Sequence, residues 1–192
     1  PELPKGAIEL APQARPAPPA VPAALLKSIA PPAAEAILPD RFTLDPRPAL
    51  IAHGKGEWER AYDQIRDAVT RVTRTAEASA LHITGYPVAI FLETSDSGFT
   101  YDLMLPIEKA PSTQNAEWPA DLRIGETPSG KAIRFVHLAA YDEIDGAYEQ
   151  ITAYLDAKDI VVKDAFIEEY ITFGDKSNSP ESTINIIVQP KK

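Results

Sequence analysis

A short string of residues occurs twice in this chain, as AYDQI at residues 61–65 and as AYEQI at residues 147–151. Each copy lies in a stretch whose apolar residues recur at spacings of three and four, as on one face of an α-helix. The flanking sequence repeats as well, because a strand pattern precedes each helix and two strand patterns follow it. The sequence therefore predicts two βαββ units in tandem, over residues 48–107 and 131–190.

Two such units predict an α+β fold. Each helix has one apolar stripe that needs a sheet to cover it, and each βαββ unit supplies one face of an antiparallel sheet. We expect the helices on the outer faces of the sheets. The central groove is expected between the units, on the sheet faces that the helices leave free. The stretch 108–130 contains several Pro and Gly residues and is interpreted as the connector between the units.

The beginning of the chain differs in composition from the rest. Twelve of the 19 prolines fall within the first 48 residues. Because proline lacks a backbone donor and restricts the residue before it, this part is predicted to be extended or polyproline-like. We interpret residues 1–41 as a linker or tether and residues 42–192 as the folded domain. The alternative is a tail that docks on the domain through its apolar residues, Leu25, Leu26, Ile29, Ile37 and Leu38.

The formal net charge of −9 lies entirely beyond residue 48, since five basic and five acidic residues balance before it. Within residues 141–175, ten acidic residues stand against Lys158 and Lys163. A surface with this charge repels phosphate backbones and anionic membranes, so this chain is not expected to bind nucleic acid. Cationic small molecules would be attracted instead.

Several kinds of site have no support in the sequence. The absence of cysteine excludes disulfides, thiolate metal sites and cysteine nucleophiles. The three histidines, His53, His82 and His137, are far apart and form no metal-binding motif. No nucleophile elbow and no phosphate-binding loop is present. We therefore expect no metal and no cofactor.

The stretch DAFIEEYITF, at residues 164–173, has the pattern of a β-strand but carries adjacent glutamates. Alternation places Phe166, Glu168 and Tyr170 on one face of the strand and Glu169 on the other. The face with Glu169 is the more apolar and is expected to cover the helix, which leaves Glu168 facing the groove. A β-bulge that shifts the register by one residue would exchange the two roles.

A carboxylate among aromatic rings is suited to bind an organic cation through charge pairing and cation–π attraction. Without a partner, the pKa of Glu168 would be raised, and the group could donate or accept a proton. The alternative is an edge-strand charge that discourages aggregation of sheets.

Several short motifs occur in a fixed order along residues 42–190. They are Gly85-Tyr86-Pro87 before a strand, a strand that ends at Pro106, Gly130-Lys131-Ala132, the stretch from His137 to Tyr141, and Glu168-Glu169-Tyr170. In these motifs and in its duplication the chain resembles the GyrI-like domain, which is the effector-binding domain of bacterial multidrug-responsive transcription regulators.

The resemblance implies a groove that takes hydrophobic, often cationic, compounds. It also implies that Glu168 is the pocket glutamate and Tyr170 its aromatic neighbour. Two features depart from the family. The family's H-x-G-x-Y stretch reads HLAAY here, at residues 137–141, and a proline-rich stretch stands where the regulators have a helix-turn-helix.

The first functional hypothesis is a stand-alone module that binds a hydrophobic or cationic small molecule. Glu168 would provide the charge, and the candidate walls are Tyr170, Phe166, Tyr141, Phe91, Tyr101 and Trp58. The second is a hydrolase of reactive small molecules, with Glu168, Tyr170 and Glu93 as candidate catalytic residues. The third is a structural or protein-interaction domain whose groove is closed by its own side chains or by the proline-rich tail. Haem binding through His137 is a further alternative.

The location of the protein is a separate prediction. The chain begins with Pro1 rather than Met, lacks cysteine and has a Pro/Ala-rich leader. Together these features suggest an exported, periplasmic protein behind a removed signal or a membrane tether upstream of residue 1. A cytoplasmic fragment of a longer chain is the alternative, and the oligomeric state is left open.

Overall fold

The computed structural model describes residues 26–29, 39–111 and 118–191. Its elements are, in chain order, β1 (Asp40–Leu44), β2 (Pro48–Gly56), α1 (Ala61–Ala78), β3 (Val88–Ser95), β4 (Gly98–Pro106), β5 (Leu122–Glu126), β6 (Gly130–Leu138), α2 (Ile144–Ala157), β7 (Ile167–Thr172) and β8 (Thr183–Val188). A short 3₁₀ turn precedes each helix, at Trp58–Arg60 and at Tyr141–Glu143. The segments β2-α1-β3-β4 and β6-α2-β7-β8 are the two predicted βαββ units, so the α+β class and the duplication are confirmed.

The eight strands form one antiparallel sheet in the order β1-β6-β8-β7-β3-β4-β2-β5. The two units meet in its middle, where β3 pairs with β7. We call this pairing the central seam. It consists of the residue pairs Val88 with Glu169, Ala89 with Glu168 and Ile90 with Ile167. Just beyond these pairs, the Phe91 amide donates to the Phe166 carbonyl and the Tyr170 amide donates to the Pro87 carbonyl, each at 3.0 Å.

Both helices pack on the same face of this sheet. Ile65 of α1 and Ile151 of α2 are buried in one apolar core together with strand residues such as Leu103 and Ile186. α1 packs on strands of the first unit and α2 on a strand of the second. Neither helix packs on the middle of the sheet, where β3 meets β7. The prediction that the groove lies on the face away from the helices was therefore wrong. It assumed two separate sheets, whereas the central seam joins the strands into one.

The opposite face of the sheet has a smaller apolar core, to which Ile51, Val88 and Ile187 contribute. Residues 27–29 lie against this face, and Ile29 is buried in its core. Of the apolar residues that favoured a docked tail, Leu26 and Ile29 contact the domain. The others, Leu25, Ile37 and Leu38, lie outside the described residues. The linker role of residues 1–41 stays a prediction, and β1 already begins within that range, at Asp40.

Neither helix in the described part of the chain has the length and apolar character that crossing a membrane requires.

Candidate ligand-binding site

A cavity of about 950 Å³ opens between the N-terminal turns of α1 and α2, on the helix face of the sheet and over the central seam. Aromatic side chains form much of its wall: Trp58, Tyr62, Phe91, Tyr141, Tyr148 and Phe166. The rings contact one another in pairs, with centroids 5.6 Å apart for Tyr62 and Tyr141 and 5.1 Å apart for Tyr148 and Phe166. A cavity with such walls can hold a flat or bulky apolar molecule.

The Glu168 carboxylate lines the inner part of this cavity, and the residue is only 2% exposed. The Tyr148 hydroxyl donates a hydrogen bond to Oε1 at 2.5 Å, and the Tyr170 hydroxyl donates one to Oε2 at 2.7 Å. No lysine, arginine or histidine of the described residues forms an ion pair with Glu168. The cavity thus contains a buried acid with two hydroxyl donors and, within the described part of the chain, no positive partner.

The electrostatics of this cluster follow from its burial. Desolvation raises the pKa of Glu168 above its usual value, and the hydrogen bonds from Tyr148 and Tyr170 lower it in part. Desolvation, followed by the negative charge of Glu168, raises the pKa of both tyrosines well above the usual value. The two hydroxyls therefore remain protonated donors that orient the carboxylate.

Acidic side chains also surround the mouth of the cavity. Besides Glu168, the acidic residues of its lining are Glu59, Asp63, Asp142, Asp145, Glu149 and Asp175, and they are exposed. The basic residues of the lining are Arg60 and Lys176. The excess of acids gives the entrance a negative potential, which attracts cations and repels anions.

The sequence places Glu168 in the cavity through simple strand geometry. β7 is a central strand, so its alternate side chains point to two buried faces. The register sets Glu168 opposite Ala89 of β3, whose small side chain takes little space beside the carboxylate. No bulge exchanges the two glutamates, and the edge-strand interpretation was wrong because β7 lies between β3 and β8.

The structure brings together five of the predicted site residues. The lining contains Glu168, Phe166, Tyr141, Phe91 and Trp58. Tyr170 lies behind the carboxylate, where it is 2% exposed and does not form part of the lining.

Two predicted residues lie elsewhere. Tyr101 packs in the core beneath α1, against Phe99 and the backbone of Gly54. Glu93 follows an irregularity in the pairing of β3 with β4 and points into solvent outside the cavity lining. The bulge turns Glu93 away, because strand alternation is interrupted at that point.

The structure also shows whether His137 could bind a haem in the cavity and whether side chains are grouped as in a metal site. His137 is 7% exposed, its Nε2 lies 2.9 Å from the Ala140 carbonyl oxygen, and it does not line the cavity. A haem in the cavity would therefore not meet this side chain. No group of three or more metal-ligating side chains is found among the described residues.

Tyr148 was not predicted as a site residue, although it makes the shortest contact with Glu168. The repeated string contains a signal that could have found it, because Tyr62 and Tyr148 occupy the same position in the two copies. Both residues line the cavity from the N-terminal halves of their helices. The Tyr62 hydroxyl, in contrast, donates to the Gly174 carbonyl and not to a carboxylate.

No protein-family model matches this chain, and no match was found among curated proteins. Solved structures share its fold. EcmrR in its DNA complex is 13% identical with a TM-score of 0.65, over 81% of this chain and 57% of that one. The EcmrR C-terminal domain alone is 13% identical with a TM-score of 0.61, over 81% and 98%. SAV2435 bound to tetraphenylphosphonium is 14% identical with a TM-score of 0.52, over 81% and 94%.

These similarities establish the fold. This chain folds like the EcmrR C-terminal domain and SAV2435, which is consistent with the resemblance to GyrI-like domains. It spans 57% of the EcmrR chain in the DNA complex.

Proposed function

We propose that this chain is a GyrI-like domain that binds a hydrophobic organic cation in the cavity between α1 and α2. Ionised Glu168 is the charge partner of the cation, and the aromatic rings around it enclose the apolar body. The observation that carries the proposal is the Glu168 carboxylate itself, which is buried, accepts hydrogen bonds from two tyrosine hydroxyls and forms no ion pair with a basic residue among residues 26–29, 39–111 and 118–191.

The energetics favour a cation over a neutral molecule. A buried carboxylate costs several kcal/mol of lost hydration, which the two neutral hydroxyl donors offset only in part. A ligand cation supplies the opposite charge at short range. Aromatic faces within about 6 Å of a cation contribute roughly 0.5–2 kcal/mol each through cation–π attraction.

The structural comparison supports the same class of ligand. SAV2435 was solved with tetraphenylphosphonium, a bulky aromatic cation, and this chain shares its fold. The aromatic wall and acidic mouth of the cavity are suited to a ligand of that chemistry. We therefore choose tetraphenylphosphonium as the probe.

The test is a calorimetric titration of the protein with tetraphenylphosphonium, compared with triphenylphosphine oxide as a neutral aromatic molecule of similar shape. We expect the cation to bind and the neutral compound to bind more weakly. Glu168→Gln should lower the affinity for the cation about tenfold or more, because an interaction with a charged partner is worth about 1.5–3 kcal/mol. Equal affinity of wild type and Glu168→Gln would contradict the role of the charge.

The matched control is Glu77→Gln. It removes one negative charge by the same substitution, but Glu77 is an exposed residue of α1 that does not line the cavity. Circular dichroism and thermal unfolding of both variants separate a loss of binding from a loss of fold. A loss of affinity in Glu77→Gln as large as that in Glu168→Gln would argue against the cavity as the binding site.

Hydrolysis is the second candidate function. It is favoured by the raised pKa of Glu168, which would allow the carboxyl group to exchange a proton at a higher pH than an ordinary glutamate. Glu93, the predicted second acid, lies outside the cavity lining. Incubation with an aryl ester or an epoxide tests this role, and turnover by wild type that disappears in Glu168→Gln would support it.

A further inference from the structure

The back of the central seam is crossed by residues 27–29, a segment that we call the strap. The Lys27 amide donates to the Thr84 carbonyl at 2.9 Å, which ties the strap to the first βαββ unit. The Ser28 hydroxyl and the Ile29 amide each donate to the Glu169 carboxylate at 2.6 Å, which ties it to β7 of the second unit. The strap therefore bonds to both units.

The contacts that Ile29 and the Glu169 carboxylate make with each other and with the sheet are buried. Glu169 is 0% exposed, and Asn185 of β8 also donates to its carboxylate, at 2.7 Å. The Ile29 side chain is 5% exposed and packs in the core of the back face with Val88 of β3 and Ile167 of β7. These two residues belong to the central seam, so the strap covers the seam directly.

The side chain of Arg47, which precedes β2, forms hydrogen bonds with two backbone carbonyls of the strap. Its Nη1 donates to the Lys27 carbonyl at 3.0 Å and its Nη2 donates to the Ser28 carbonyl at 2.7 Å. The backbone of the strap is therefore hydrogen-bonded at each of its three residues, through the amides of Lys27 and Ile29 and the carbonyls of Lys27 and Ser28.

The seam that the strap covers is the shortest strand pairing of the sheet. β3 and β7 are matched over three residue pairs, whereas β2 and β4 are matched over eight. The cavity lies over the same seam on the front face, with walls contributed by both units. Any bending at the seam changes the distance between α1 and α2 and hence the width of the cavity.

We propose that the strap is a positioning device that fixes the two units behind the cavity and keeps the cavity at the width at which it binds its ligand. Its effect on the ligand rests on the proposed function. A strapped seam preorganises the cavity, so release of the strap lowers the affinity for the ligand. By reciprocity, a bound ligand opposes release of the strap by the same factor.

The first test needs no ligand and measures amide hydrogen exchange in the full chain. Arg47→Ala and Ser28→Ala each remove part of the strap's attachment without altering the cavity lining. We expect the seam amides of Phe91 and Tyr170 to exchange about tenfold faster in both variants. The exchange rates of amides in the pairing of β2 with β4 should be unchanged in both variants. The control is Arg74→Ala, which replaces an exposed residue of α1 and should leave the exchange rates of both sets of amides unchanged. Unchanged exchange at the seam in both strap variants would overturn the proposal.

The second test measures the link to the cavity with tetraphenylphosphonium. Trypsin can cut after Lys27 only when the strap leaves the sheet, because a protease needs an extended, undocked segment. Saturating tetraphenylphosphonium should slow the release of the peptide that ends at Lys27 at least threefold in wild type. Arg47→Ala should lower the affinity for tetraphenylphosphonium by a factor similar to the one by which the ligand slows cleavage after Lys27, at least threefold.

The outcomes separate the two proposals. If wild type binds tetraphenylphosphonium and cleavage after Lys27 is not slowed, the strap does not set the cavity and the proposed function stands. If wild type does not bind the cation, the proposed function fails. The hydrogen exchange of the seam then still decides whether the strap holds the units together.

Discussion

Glu168 and Glu169 are consecutive residues of β7, both are buried, and their carboxylates lie on opposite faces of one sheet. Glu168 accepts hydrogen bonds from two tyrosine hydroxyls in the cavity. Glu169 accepts hydrogen bonds from Ser28, Ile29 and Asn185 on the back of the sheet. Because β7 is one of the two strands of the central seam, these adjacent residues contact the cavity on one face of the sheet and the strap on the other.

The first prediction concerns the pH dependence of stability. Burial raises the folded-state pKa of Glu168 above 4.5, its ordinary value, so the folded protein binds this proton more tightly than the unfolded chain does. The stability that Glu168 contributes is fully present below pH 4.5 and is lost as the pH rises through the folded-state pKa. Each pKa unit of the difference corresponds to about 1.4 kcal/mol.

The measurement is the thermal midpoint of wild type and Glu168→Gln between about pH 4 and pH 8. The glutamine variant should gain stability relative to wild type as the pH rises, because it has no charge to bury. Taking the difference between the two proteins removes the contributions of the other acids. A difference that does not change with pH would contradict the prediction.

The second prediction concerns the tyrosine that the sequence analysis missed. The Tyr148 hydroxyl donates to Glu168 and lowers the pKa of that carboxyl group. Tyr148→Phe should therefore raise the pKa of Glu168 further. Because a cation binds the ionised carboxylate, the pH at which half of the tetraphenylphosphonium affinity is lost should move upward in the variant, as measured by titrations across a pH series.

Tyr62→Phe is the control for this experiment. Tyr62 occupies the equivalent position in the repeat and also lines the cavity, but its hydroxyl donates to the Gly174 carbonyl. Its removal should leave the pH midpoint of binding where it is in wild type. The same upward shift in both variants would show that a general change of the cavity, and not the hydrogen bond, is responsible.

The third prediction uses the two tryptophans as reporters. Trp58 is 45% exposed and lines the cavity, whereas Trp118 lies outside the lining and donates to the Ser79 hydroxyl. Tetraphenylphosphonium should change the intrinsic fluorescence of wild type and of Trp118→Phe. The change should be lost in Trp58→Phe. A response that survives in Trp58→Phe and disappears in Trp118→Phe would place the ligand outside this cavity.

The sequence predicts the units of this fold better than their arrangement. The repeated AYDQI and AYEQI strings identify the helices and with them the two βαββ units, because local periodicity reports local structure. The side of the sheet on which the groove lies depends on the pairing of β3 with β7. These strands are far apart in sequence, and no local pattern specifies that they pair.

The candidate site shows the same limit at the level of single residues. Alternation separates Glu168 from Glu169 onto two faces correctly, since it depends only on strand geometry. The expectation that the Glu169 face covers the helix was wrong, because both helices pack on the face of Glu168. Strand geometry alone does not locate the other two candidates. A bulge turns Glu93 away from the cavity, and Tyr101 shares the sheet face of Phe91 but is covered by α1. The contact of Tyr148 with Glu168 joins a helix to a strand and requires the packed structure.

The last prediction contrasts two glycines. A Cβ on Gly98 would lie 2.2 Å from the carbonyl oxygen of Gly56, where the ends of β2 and β4 approach each other, while a Cβ on Gly146 of α2 would meet no atom within 4 Å. Gly98→Ala should destabilise the protein by about 1–3 kcal/mol, because backbone has to move. Gly146→Ala should stabilise it by about 0.5–1 kcal/mol through helix propensity. Urea unfolding of both variants measures the free energies, and a Gly98→Ala protein as stable as wild type would contradict the close approach of the two strands.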